Sequence, residues 1–348
     1  VAAASGYLNA EAVLGAATAV ARDAGSTREE GSAVSYVPVV DISADPRTVG
    51  AELDEICRTA GFFQVTGHGV PGEVAERAWT TATRFFDLPL EDKLSVVRPT
   101  PDYPYGYIPL AGESLSQSMA GAAPPDRKEV FNAGPPARPA GKFADPAEAW
   151  AYSPSLWPAA LPELRVAWTA YYDAMRDLGD RLMSLFARGL GLPPGFFAGT
   201  TSQAANALRA INYPVRDTAP LPGQLRAGAH TDYGTLTILR QDTVGGLEVL
   251  DAGGRWAGVE PVPGAFVINI GDLMARWTND RWRSTLHRVV DPPDPAARRQ
   301  SMPYFQNANW SAEISCLPTC LEPGGKPRYE PVLAGPHLMG KFRRSVTF

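Results

Sequence analysis

Gly228-Ala229-His230-Thr231-Asp232, with Leu236-Thr237-Ile238-Leu239-Arg240 and Gly245-Gly246-Leu247-Glu248-Val249-Leu250 just after it, decides how this chain is read. Short apolar runs separated by glycine turns are the pattern of strands in a tightly connected β structure. The pattern continues outward at 208–213, 266–270, 286–290 and 302–307, punctuated by Gly253-Gly254, Pro263-Gly264 and Asn279-Asp280. Many short strands at regular spacing predict a sandwich or barrel. Upstream the period changes. Val49, Leu53, Ile56 and Cys57 recur at helical spacing and predict a helix over 47–60, ended by Gly61, before a strand at 62–65. A second helix is expected over 72–87 and a long one over 161–190, closed by Gly191 and Pro193-Pro194. The stretch 37–42 reads as a short edge strand, with Pro38 near its start. Residues 99–141, rich in Pro and Gly with Tyr103, Tyr105 and Tyr107, read as a loop region. It either faces a substrate or packs on its own aromatics at the surface.

Composition narrows the function classes. The chain has 348 residues, 45% hydrophobic and 20% charged, which is ordinary for a folded globular protein. A formal charge of −5 argues against a nucleic-acid binder, and no apolar run approaches the roughly 18 residues of a membrane helix. Three cysteines do not make a disulfide framework and point to a reducing, cytoplasmic setting. The apolar stretch 12–21 has no basic segment before it, so residues 1–34 are expected to form an Ala-rich extension rather than a secretion signal. The division expected from these patterns is an extension at 1–34, an α-rich region with short strands at 35–200, a β core at 201–310, and a C-terminal segment at 311–348 closing the site. Oligomeric state is not readable, with a monomer slightly favoured.

His230 and Asp232 stand two apart, so on a strand they share a face. His287, on the distant strand 286–290, supplies a third ligand-type group. Two imidazoles and a carboxylate form the facial triad of non-haem Fe(II) sites. His-x-Asp alone is a chance pattern, and a lone strand histidine is most often structural. The third element is Arg299-Gln300-Ser301, a guanidinium and a hydroxyl on one strand face that together suit a carboxylate. Each such charge-assisted bond contributes roughly 1.5–3 kcal/mol away from water. Tyr213, in Ile211-Asn212-Tyr213-Pro214, offers a phenol to the same group.

In this order the motifs resemble the Fe(II)- and 2-oxoglutarate-dependent dioxygenases, in the branch that includes isopenicillin N synthase. The resemblance spans most of 36–310. It rests on Val37-Pro38-Val39-Val40-Asp41, Gly61-Phe62-Phe63-Gln64-Val65-Thr66-Gly67-His68-Gly69-Val70, Asn212-Tyr213-Pro214, Gly228-Ala229-His230-Thr231-Asp232, Gly245-Gly246-Leu247-Glu248-Val249, Asn269-Ile270-Gly271-Asp272, His287-Arg288-Val289 and Arg299-Gln300-Ser301. It implies a mainly β fold with flanking helices: a double-stranded β-helix, or jelly roll, with a helical N-terminal region packed on it. It implies His230, Asp232 and His287 as Fe(II) ligands, and Arg299 and Ser301 as the anchor of 2-oxoglutarate, with Tyr213 and Asn212 assisting. It implies O2 as co-reactant and oxidation of a C–H bond by hydroxylation, desaturation or ring closure. The expected partner is a small organic metabolite, of the kind met in bacterial secondary metabolism, with no nucleic acid or membrane. Tyr105, Tyr107 and Phe305 are candidate substrate contacts.

Two other readings stay open on the sequence. An oxidase of the isopenicillin N synthase type would use the same Arg and Ser for a substrate carboxylate and need no 2-oxoglutarate. A non-catalytic jelly roll would bind a small molecule without turnover. The remaining candidates are structural in expectation. His68 lies in a glycine-flanked turn, and His337 has no partner motif. Cys57, Cys316 and Cys320 are too few for a four-thiolate zinc site. Gly271-Asp272 reads as a tight turn, and the arginines of 276–283 as a solvated or ion-paired face.

Overall fold

The computed structural model describes residues 36–115, 124–140, 143, 145–215, 218–292, 294 and 296–345. The extension expected at 1–34 lies outside them, as do 116–123 and 141 of the loop region. The described residues include fourteen strands, eight α-helices and one short 3-10 helix at Pro318–Cys320. The helices are α1 (Pro46–Thr59), α2 (Gly72–Phe86), α3 (Leu90–Leu94), α4 (Pro146–Ala151), α5 (Glu163–Gly189), α6 (Ala198–Thr201), α7 (Asp272–Trp277) and α8 (Ala334–Ser345). In chain order the strands are β1 (Val39–Asp41), β2 (Phe62–Thr66), β3 (Gly106–Ile108), β4 (Glu129–Ala133), β5 (Ala207–Tyr213), β6 (Ala227–His230) and β7 (Leu236–Gln241). They continue with β8 (Leu247–Leu250), β9 (Trp256–Gly258), β10 (Phe266–Ile270), β11 (His287–Val289), β12 (Arg299–Gln306), β13 (Glu313–Ile314) and β14 (Val332–Leu333).

Eight strands form one sheet in the order β1-β2-β10-β7-β12-β5-β4-β3, and four form a second in the order β6-β11-β8-β9. This is the jelly roll the sequence implied. Strand periodicity divides the large sheet between two cores. Phe63, Val65, Leu208, Ile238, Ile268 and Tyr304 face the helices. Their neighbours Phe62, Ile211, Tyr213 and Val267 face the second sheet.

The helical layer has its own local logic. Asp45 caps α1 by accepting from the backbone of Arg47 and Thr48, with Pro46 in the first turn. Leu164, Trp168, Tyr171, Met175, Leu178 and Leu182 form the buried stripe of α5, against which α1 and α2 pack. Gly50 and Gly189 permit that approach, since a Cβ on Gly189 would stand 2.4 Å from the Gly50 carbonyl oxygen. Burying each large side chain of the stripe contributes about 1.5–3 kcal/mol.

Three expectations are corrected. Residues 99–141 are not loop throughout, because β3 and β4 extend the large sheet beyond β5. All five residues of β4 are buried, since both its faces are covered, and a doubly covered strand shows no alternation to read. The strand carrying His230 ends there, so Thr231 and Asp232 lie just beyond it. Gly271-Asp272 opens the short helix α7 instead of making a simple turn. Among the described residues, no helix is long and apolar enough to cross a membrane.

Candidate active site

A cavity of about 280 Å³ opens between the two sheets, a volume suited to small ligands. At its inner part the structure brings together His230, Asp232 and His287. One ligand atom from each lies within 4.8 Å of the others. The pairing of His287 opposite His230 in β11 and β6 sets this meeting. The His287 Nε2 lies 3.9 Å from Asp232 Oδ1, and the His230 Nε2 lies 4.0 Å from the same oxygen.

Their other atoms are already occupied. His230 Nδ1 is 2.7 Å from the Gly228 carbonyl, and His287 Nδ1 is 3.1 Å from that of Thr285. Each Nδ1–H therefore donates to a carbonyl, leaving the Nε2 lone pair directed at its partners. Asp232 Oδ2 accepts from Thr237 Oγ1 at 2.5 Å and Asn269 Nδ2 at 2.7 Å, which leaves Oδ1 open. Burial, with His287 alongside, holds the His230 imidazole well below its ordinary pKa and hence neutral. Burial opposes ionisation of Asp232, but the two histidines and its hydrogen bonds keep it a carboxylate. Two imidazole nitrogens and a carboxylate oxygen that converge this closely fit a divalent transition metal. The Phe62 ring packs edge-on against His287 with centroids 5.1 Å apart.

Arg299 and Ser301 enter the same cavity from β12, and Tyr213 enters from β5 directly opposite Arg299. Arg299 is 1% exposed. Its Nε donates to the Gly245 carbonyl and its Nη2 to Gln241 Oε1, while Nη1 is buried with no partner among the described residues. A buried guanidinium N–H left open is costly unless a ligand meets it, and a carboxylate is the natural match. Gly245 can serve because its φ of +80° suits glycine and turns its carbonyl onto the guanidinium.

Two sequence candidates are not in the cavity. Asn212 alternates with Tyr213 and so faces the helices, donating to Glu129 Oε1 and accepting from Arg298 Nε. Tyr107 likewise turns away, its hydroxyl donating to Glu129 Oε2 and its ring standing edge-on to Phe85. Tyr105 and Phe305 do line the cavity.

Sequence reasoning singled out none of the other lining groups by residue, although it expected 311–348 to close the site and allowed 99–141 to face a substrate. Glu113, Lys128, Asn132 and Arg209 form a charged wall, and Leu338, Met339 and Phe342 of α8 help close the mouth. The alternation of Arg209 with Ile211 and Tyr213 was a usable signal for the first group. Asp272 was also missed. It accepts from Thr231, Ser284 and Lys341, tying the His-Thr-Asp segment to α8. His68 is structural as expected, with Nε2 2.8 Å from the Gly264 carbonyl and Nδ1 accepting from the Val70 N–H.

Comparison with known proteins gives two family matches. Residues 37–160 match the N-terminal region described as "non-haem dioxygenase in morphine synthesis". Residues 205–308 match the 2OG-Fe(II) oxygenase superfamily. The chain is 34% identical to the 2-oxoglutarate-Fe(II) type oxidoreductase hxnY of Emericella nidulans, over 88% of this chain and 90% of that protein. It is 35% identical to a homoarginine-6-hydroxylase of Oryza sativa, over 89% and 98% respectively. The full-length Neurospora crassa protein solved with alpha-KG and thymine superposes with a TM-score of 0.77 at 30% identity, covering 92% of this chain and 99% of that one.

Proposed function

The chain belongs to the 2OG-Fe(II) oxygenase superfamily, and from that premise we propose that His230, Asp232 and His287 hold its Fe(II). On the same reading Arg299 and Ser301, with Tyr213, hold the far carboxylate of 2-oxoglutarate, and an unactivated C–H bond of a small organic metabolite is oxidised. Enzymes of this superfamily use Fe(II), 2-oxoglutarate and O2. When bound, these supply oxidation of the substrate coupled to conversion of 2-oxoglutarate to succinate and CO2.

The chain's own residues bind, orient and exclude. Nε2 of both histidines and Oδ1 of Asp232 would hold the iron, whose chemistry with O2 would supply the oxidation. Thr237 and Asn269 fix which carboxylate oxygen turns to the metal. Phe62, Phe305 and the α8 side chains present apolar surface to the reacting centre, which limits water and side reactions. Hydroxylation is the default outcome proposed, and desaturation or ring closure follows where the substrate is held differently.

The observation that carries this reading is the set of open valences among the described residues: three lone pairs at the triad and the unpartnered Nη1 amino group of Arg299. The relatives named for 2-oxoglutarate favour it over the oxidase alternative, and the open donors and acceptors favour it over a non-catalytic binder. The test is to add Fe(II) and then 2-oxoglutarate to metal-free protein under nitrogen and record the visible spectrum. A weak charge-transfer band that requires both additions is expected. Iron binding without a band would favour the oxidase, and absence of iron binding would remove the enzyme reading.

A further inference from the structure

The cavity has a second polar region that the iron and cosubstrate do not use. Arg209 enters from β5, on the same face as Tyr213 and four residues before it, so it lies about 13 Å along the strand at roughly 3.3 Å per residue. Its Nη1 and Nη2 donate to the two carboxylate oxygens of Glu113 at 3.1 and 3.0 Å, and its Nε donates to Asn132 Oδ1 at 2.7 Å. Lys128, 1% exposed, stands behind this pair, 2.9 Å from Asp126 Oδ2 and 3.5 Å from Glu113 Oε2. Asp126 is fully engaged, since it also accepts from the backbone N–H groups of Leu115 and Gly228.

The surplus in this wall is of donors. Both oxygens of Glu113 are already paired, and burial of that carboxyl is outweighed by Arg209 and Lys128, which hold its pKa down at about 2. A guanidinium has five N–H groups, and three of those on Arg209 are accounted for among the described residues. The remainder belong to a side chain 18% exposed that lines the cavity.

Register places this donor relative to the triad. Strand β12 lies between β5 and β7. Thr237 of β7, which holds Asp232, pairs with Phe305 of β12, while Ala207 of β5 pairs with Phe305 from the other side. Arg209, two residues along from Ala207, is therefore two strand spacings across and two residues along from Thr237, about 12 Å at the backbone. Pro303 and Phe305 form the floor between them.

We propose that Arg209, aligned by Glu113 and Asn132, binds an acceptor oxygen of the substrate, a carboxylate or an amide-type carbonyl, while the C–H to be oxidised lies over Phe305 beside the triad. This rests on the iron and 2-oxoglutarate reading and adds the substrate class to it. Glu113 and Asn132 are positioning residues: they hold the guanidinium in one orientation so that its remaining N–H groups face the cavity.

The test uses the full chain loaded with Fe(II) and saturating 2-oxoglutarate under nitrogen, so the Arg299 anchor is filled. Benzoate, benzamide and benzylamine share a ring that suits the aromatic walls and differ in the polar group. Each is titrated calorimetrically, and the charge-transfer band is recorded on the same sample. Benzoate and benzamide are expected to bind about tenfold or more tightly than benzylamine, the preference that one charge-assisted bond supplies. That preference should disappear in Arg209→Met. Because Arg209→Met leaves the buried Glu113 carboxylate with only Lys128, 3.5 Å away, and threatens folding, the Glu113→Gln/Arg209→Met double variant is measured too, with the same loss expected. The band should persist in both. Tighter binding of benzylamine, an unchanged preference in the band-positive double variant, or no binding of any probe by band-positive wild type would overturn the proposal. Benzoate favoured over benzamide identifies a carboxylate, and equal binding a carbonyl acceptor. Loss of the band in wild type would instead strike the reading on which it rests.

Discussion

Two parts of the cavity wall solve opposite problems with similar groups. At Arg299 and the triad, polar atoms are left open among the described residues: Nη1 has no partner, and the Nε2 atoms and Asp232 Oδ1 converge without a donor. Toward the mouth, at Arg209, charges are closed on one another through Glu113, Asn132, Lys128 and Asp126. An end with open valences is unfavourable until ligands of fixed chemistry arrive, so it is built for the same ligands in every turnover. An internally paired end tolerates an empty cavity and needs only spare donors to select a substrate.

Removing an open group should therefore be more damaging than removing a supporting one. The largest effect is expected for His287→Ala. It deletes one of three ligand-type atoms, so the charge-transfer band and 2-oxoglutarate turnover should both fall to background, read by visible absorption and succinate release. A band of wild-type intensity in this variant would contradict the triad. Next comes Arg299→Ala, which should weaken 2-oxoglutarate binding by about 10–100-fold, the equivalent of one or two charge-assisted bonds. Unlike the first lesion, this one should be overcome by raising cosubstrate. Thr237→Val should act at one remove. Asp232 Oδ2 loses its hydroxyl donor, and iron affinity should drop by about tenfold, as supporting bonds to metal ligands typically give. Competition against a colorimetric chelator would measure it.

The same division explains what was legible beforehand. The structure brings His230, Asp232, His287, Arg299 and Ser301 into one cavity; strand alternation sets the Arg299–Ser301 spacing, while Asp232 lies just past the strand that carries His230 and was legible through its residue type. Asn212 lies outside the cavity for the same reason Tyr213 lines it, since adjacent strand residues face opposite ways. Tyr107 lies outside it likewise, being turned into the helix-facing core. The outer wall was harder to read. Glu113 and Lys128 lie in a Pro- and Gly-rich stretch that reads as loop, and α8 comes from the far end of the chain. No short motif joins them, because what brings them together is sheet order. The helices were legible at their ends, where Asp45-Pro46 caps α1 and Gly191 follows α5.

The smallest expected effect tests whether the outer wall is in fact closed on itself. Glu113 is held at a pKa of about 2, far below the ordinary carboxyl value. A carboxyl depressed in the folded state contributes stability that is fully present above its unfolded pKa and is lost as pH falls through the folded one. The contribution is therefore complete at pH 6, begins to shrink near the unfolded pKa of roughly 4.3, and is gone below about pH 2. Glu113 is 20% exposed, so solvent screening discounts the pair to about 1 kcal/mol. Urea unfolding of Glu113→Gln and wild type should differ by that amount at pH 6, and the gap should narrow measurably by pH 3. A gap independent of pH would mean that the glutamine costs packing rather than charge pairing. The outer wall would then be a shape constraint on the substrate, and its difference from the Arg299 end would lie in geometry instead of electrostatics.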